Sequence, residues 1–102
     1  SESIYFMKQT KLNPKDVLDV ISSGAAQSWQ MDNRFMTMTE DKFDFGFAVD
    51  LMRKDLSIAF DEAKKYGIDL EITKIVDEFY KDVQKMGGNN FDTSSLVKRL
   101  LS

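Results

Sequence analysis

Apolar residues recur along this chain at helical spacing, and turn signals cut the pattern into segments. The cleanest run lies between Glu71 and Met86, where Ile72, Ile75, Val76, Phe79, Val83 and Met86 fall at i, i+3, i+4, i+7, i+11 and i+14. That spacing predicts one amphipathic helix with a single apolar stripe, closed by Gly87-Gly88. The strongest start signal is Asn13-Pro14-Lys15-Asp16. Asn suits the N-cap, Pro suits the first helical position, and Asp16 can reach free backbone amides. Val17, Leu18, Val20 and Ile21 then carry the apolar face, and Gly24 suits the C′ position. Residues 1–11 carry Ile4, Met7 and Lys8 on one side, with no start signal before Ile4, which is the pattern of a helix cut from a longer one. Ala25–Met31 predicts a further short helix holding the only Trp, and the Met-, Phe- and Asp-rich stretch Asp32–Gly46 predicts a long loop with one helical turn. Asp92 or Thr93 caps a last helix through Leu96, Val97, Leu100 and Leu101. The expectation is an all-α, multi-helix bundle of five to seven helices over residues 1–102.

One predicted helix, Phe47 to Tyr66 closed by Gly67, departs from a plain amphipathic pattern. At about 100° per residue, Phe47, Ala48, Val49, Leu51, Met52, Leu56, Ile58, Ala59, Phe60 and Ala63 fill one broad apolar arc. Asp55 and Glu62 fall inside that arc, and Lys54 lies at its edge near Phe47 and Leu51. An ionised carboxylate buried without a partner costs several kcal/mol. The face is therefore expected to be a wet interface or part of a site. Lys54 and Asp55 are adjacent and project apart, so each needs its own partner. One reading leaves Lys54 at the surface and has Asp55 cap a neighbouring helix or pair with Arg34 or Arg99; the other places both in a site. Trp29, followed by Phe35, Phe43, Phe45 and Phe47, either lines an apolar ligand pocket or forms core beneath the loop.

Composition narrows the chemistry. The formal net charge of -3 and the absence of any basic run argue against a nucleic-acid or anionic-membrane binder. Zero Cys and zero His exclude disulfide frameworks, Cys/His zinc sites, Cys nucleophiles and a catalytic His. No metal site is expected, and the lack of Cys suits a cytoplasmic protein. No apolar run reaches the length of a membrane span, and the glycines form neither a P-loop nor a dinucleotide fingerprint.

Taken in order, Leu12-Asn-Pro-Lys-Asp-Val-Leu18, Ser23-Gly-Ala-Ala-Gln-Ser-Trp29, Gly46-Phe47-Ala-Val-Asp-Leu-Met-Arg-Lys-Asp-Leu56 and the Gly87–Ser94 stretch resemble the C-terminal domain of the 3-hydroxyisobutyrate dehydrogenase (β-hydroxyacid dehydrogenase) family. The resemblance covers essentially the whole chain. It implies a helical domain like the C-terminal domain of 6-phosphogluconate dehydrogenase, preceded in the parent protein by a Rossmann domain that binds NAD or NADP. The implied reaction is hydride transfer between the nicotinamide and a small 3-hydroxy acid or its semialdehyde. In that setting Lys54 matches the lysine that contacts the cofactor from the helical domain. Phe47 and Asp55 match positions of the substrate and cofactor cleft, and Trp29 lies toward the substrate. The family's general acid/base lysine falls upstream of Ser1, so no catalytic residue is assigned, and the fragment alone is expected to be inactive. Family members associate through these helical domains, so a homo-oligomer is expected. The alternative is a non-catalytic helical interaction or dimerisation module whose aromatic and Met surface binds a partner chain.

Overall fold

A computed structural model describes residues 1–101 and arranges them as six α-helices and one 3-10 turn. These are α1 (Glu2–Gln9), α2 (Pro14–Ile21), α3 (Trp29–Thr39), α4 (Val49–Lys65), α5 (Glu71–Lys85), the 3-10 turn Thr93–Val97 and α6 (Lys98–Leu101). No strand occurs among the described residues; an isolated antiparallel bridge joins Ala48 to Asp92. The all-α expectation holds, and most boundaries follow local chemistry. The Asn13 side chain accepts the Asp16 amide at 3.1 Å ahead of Pro14. Gly67 and Gly87, at φ +64° and +84°, take the left-handed conformation that ends α4 and α5.

The third helix lies elsewhere than expected. Ala25 and Ala26 lie in a turn, Ser28 is extended, and the helix starts only after Ser28, whose hydroxyl accepts the Met31 amide at 3.1 Å. It then runs to Thr39, through most of the stretch expected to be loop. Met31, Phe35 and Met38 share one face, and burying Phe35 and Met38 outweighs the modest helix propensity of the Asn and Thr residues around them.

Two small cores hold the elements together. Ile4, Met7, Phe35, Met38, Phe43 and Val97 form one; Val49, Tyr80 and Val83 form the other, and Phe91 packs against both. Between α4 and α5, Arg53 grips Asp77 through Nε (2.9 Å) and Nη2 (3.1 Å) and donates from Nη1 to Gln84 (2.9 Å).

The broad apolar arc of α4 resolves into two stripes on opposite sides. Val49, Met52, Leu56 and Phe60 turn inward, whereas Leu51 and Ile58 stand exposed on the far side. Asp55 and Glu62 belong to the exposed side, and Glu62 pairs with Lys65 at 3.0 Å. Neither carboxylate of the arc is buried, because α4 is covered on one side only. Phe47 also lies ahead of the helix rather than within it. Similarly, Ile72 and Ile75 of α5 are exposed while Val76, Tyr80 and Val83 pack inward.

Candidate functional site

The connection from α3 to α4 is held to the 89–92 segment by several hydrogen bonds. Phe43 is buried, and its carbonyl accepts the Asp92 amide at 2.9 Å. Val49 donates to the Phe91 carbonyl (2.9 Å) and Asp50 to that of Asn89 (3.0 Å), so amides at the start of α4 are satisfied by the 89–92 segment.

Asp92, 2% exposed, is the hub. Its Oδ1 accepts the Phe47 amide at 3.0 Å. Its Oδ2 accepts Arg34 Nε (3.0 Å), the Ser94 amide (3.1 Å) and the Ser94 hydroxyl. Burial pushes its carboxyl toward the protonated form, but the bonds from Ser94 and Phe47, together with the Arg34 charge, outweigh this and hold its pKa below the ordinary carboxylate value. Gly46, at φ +74°, passes so close that a Cβ would sit 2.0 Å from Asp92 Oδ1. Only glycine fits there.

Arg34 is itself sandwiched. Its guanidinium carbon lies 4.8 Å from the Trp29 ring centroid and 4.9 Å from that of Phe45. Trp29, Phe45 and Phe47 are all exposed; the first two rings flank the Arg34 guanidinium, and Phe47 meets Asp92 through its backbone amide. Of the aromatics that follow Trp29, Phe35 and Phe43 belong to the core instead.

Trp29 and Phe47 are thus tied together through Arg34 and Asp92. Lys54 and Asp55 stand farther along α4 on its exposed side, with Leu51 and Ile58. No ion pair reaches either of them among the described residues: Arg34 is taken by Asp92, and Arg99 by Asp82 at 3.1 Å. Arg34 and Asp92 are the residues that sequence reasoning missed. Asp92 carried a visible capping signal, but its link to Arg34 spans 58 positions. A separate groove of about 390 Å³, lined by Ile4, Met31, Phe35, Met52, Tyr80 and Ser94 among others, includes none of Trp29, Phe47, Lys54 or Asp55. Along it, the Tyr80 hydroxyl donates to the Thr93 carbonyl at 3.1 Å.

Residues 1–100 match the family model for the NAD-binding domain of NADP-dependent 3-hydroxyisobutyrate dehydrogenase. An "uncharacterized oxidoreductase" of Shewanella frigidimarina is 54% identical over 100 residues, covering 98% of this chain and 34% of that protein. The 2-hydroxy-3-oxopropionate reductase of Escherichia coli is 29% identical over 98% of the chain and 34% of its own length. A crystal structure of a 3-hydroxyisobutyrate dehydrogenase from Salmonella typhimurium superposes with a TM-score of 0.84 at 22% identity, over 96% of this chain and 34% of that one. The chain therefore spans about a third of the length of these relatives.

Proposed function

Because the chain belongs to the 3-hydroxyisobutyrate dehydrogenase family, whose cofactor is NAD or NADP, we propose that it forms the helical wall of the cofactor cleft in an oxidoreductase acting on a small 3-hydroxy acid or semialdehyde. The observation that carries this reading is the outward face of α4, where an unpaired Lys54 stands between exposed Leu51 and Ile58, with exposed Phe47 just before the helix. A cation that no ion pair reaches among the described residues, flanked by the apolar Leu51 and Ile58 as well as by the exposed Asp50, Asp55 and Asp61, suits a ligand that combines phosphate charge with a flat, weakly polar ring. The residues present therefore fit a nicotinamide dinucleotide. When bound, that dinucleotide accepts or donates the hydride.

In this reading Lys54 contacts the cofactor, Phe47 and Asp55 line the cleft, and Trp29 lies toward the substrate. The opposite wall is a Rossmann domain of the same parent chain, which also brings the general acid/base lysine. Residues 1–102 then carry binding without the chemistry, and alone turn over nothing. A cytoplasmic location and self-association through the helical domain complete the reading. The second is supported by large apolar side chains left exposed outside the span of α4: Phe6 on α1, Val20 on α2, Tyr66 at the C-terminal cap of α4 and Ile72 on α5.

The test is Lys54→Ala in the full-length protein that carries this chain. The expected outcome is a cofactor KM raised about tenfold, equivalent to ~1.4 kcal/mol, with thermal stability changed by no more than about 0.5 kcal/mol, as for an exposed side chain. An unchanged KM would remove Lys54 from the cleft.

A further inference from the structure

We propose that the Arg34–Asp92 pair, its carboxylate buried and its guanidinium partly so, is a positioning device for the cofactor wall, holding the Gly46–Phe47 turn and thereby the placement of Phe47 and the direction in which α4 presents Leu51 and Lys54. The proposal rests on the reading of α4 as cofactor-facing and adds two residues to it that make no contact of their own with the ligand.

Well-packed apolar residues of similar volume stabilise an interior as well as a buried ion pair does, so the pair's distinctive contribution is direction. Here that direction is completely specified. Asp92 Oδ1 is committed to the Phe47 amide, and Oδ2 to Arg34 and Ser94. Arg34 cannot swing away, because Trp29 and Phe45 stack on it. Gly46 leaves no gap between the turn and the carboxylate.

The turn so held leads straight into α4. Backbone bonds from Val49 and Asp50 to Phe91 and Asn89 seat the end of the helix, while the Asp92–Phe47 bond, placed just upstream, fixes the angle at which the chain enters it. That angle matters to side chains on the exposed face. A rotation of about 20° about the helix axis moves atoms at its ~5–6 Å outer radius by about 2 Å. Misplacements of ~1 Å are enough to cost large factors in a reacting complex. The two rings that clamp Arg34 and the Phe47 amide held by Asp92 meet at one ion pair, which aligns the Trp29–Phe45 clamp and the entry to the helix together.

The experiment is a mutant cycle in the full-length protein, read as cofactor KM beside unfolding temperature. Asp92→Asn is expected to raise the cofactor KM about tenfold in the wild-type background and less than twofold once Lys54→Ala is present, because a mis-aimed lysine and a missing one are lost in the same way. Arg34→Lys, which keeps the cation but loses the planar fork, is expected to behave likewise with about a threefold rise. It carries the cycle by itself should Asp92→Asn fail to fold. A pair with a structural role only would lower the unfolding temperature and leave KM unchanged, or would add its full factor to that of Lys54→Ala; either result overturns the proposal. If Lys54→Ala itself leaves KM unchanged, the cofactor-facing reading falls and the positioning role falls with it.

Discussion

Gly46 and Gly67 both hold left-handed backbone, yet they should respond differently to the same added methyl group. At Gly67 nothing lies within 4 Å of a new Cβ, so alanine meets only the cost of positive φ, about 1 kcal/mol. At Gly46 the methyl would enter the space of Asp92 Oδ1, with the Arg34 guanidinium 3.0 Å away. Strain at the backbone then adds to overpacking of about 1–3 kcal/mol. Gly46→Ala is expected to lower stability by about 2–4 kcal/mol and the unfolding temperature by about 10 °C or more, against roughly half that or less for Gly67→Ala, as measured by thermal denaturation. Little of this was visible in the sequence. Gly46 stood out only as the first residue of a motif. Asp92 read as a cap, which it is, since the Ser94 amide bonds to it. That the same carboxylate also reaches residues 34 and 47 is a fact of long-range packing, which no local pattern encodes.

At the scale of elements, local chemistry reported helices well where one face is covered and the ends are capped. α2 begins at Pro14 and α5 spans the expected periodic run. Periodicity failed in two instructive places. On α4 it merged two opposite apolar stripes into one arc, because a wheel records composition and not which side a neighbour covers. On α3 it passed over Met31, Phe35 and Met38, which are separated by enough polar residues to look like loop. The docking of α5 offers a direct test. Tyr80 is buried, donates to the Thr93 carbonyl, and has its phenol pKa pushed up to about 12, with burial as the main cause. A folded-state value raised above the unfolded one of about 10 means that this group's contribution is complete below pH 10 and is lost as the pH climbs toward 12. Urea unfolding at pH 9 and pH 11.5 should show a loss of stability in the wild type that is smaller in Tyr80→Phe. Equal losses in the two proteins would show that the phenol does not titrate late.

The whole molecule is more extended than its length requires. Its radius of gyration is 15.0 Å and its extents are 46 × 32 × 22 Å, whereas a compact chain of this size has a radius of about 13 Å. Among the described residues nine hydrophobic side chains are buried, while fourteen large ones stay exposed, Phe6, Val20, Tyr66 and Ile72 by about 70% each. Such a surface is suited to being covered by another protein surface. The isolated 102-residue chain is accordingly expected to self-associate as its concentration rises, with sedimentation equilibrium giving a mass above 11.7 kDa. A monomer throughout would take the helical domain out of oligomer assembly.

One further consequence concerns how small this unit can be made. Phe47 and Lys54 lie in the middle of the chain, and a trimmed version ending at Met86 would keep both, together with Trp29 and Arg34. It would lose Asp92, which stands 45 positions beyond Phe47 and supplies the bonds that hold the turn and the arginine. Arg34 would then be a cation wedged between two rings without its anion, and the Phe47 amide a donor without an acceptor. The residues proposed to face a ligand and the residue that holds their turn sit at different addresses, so the shortest piece that keeps this arrangement runs past Asp92 and Ser94 to the buried Val97.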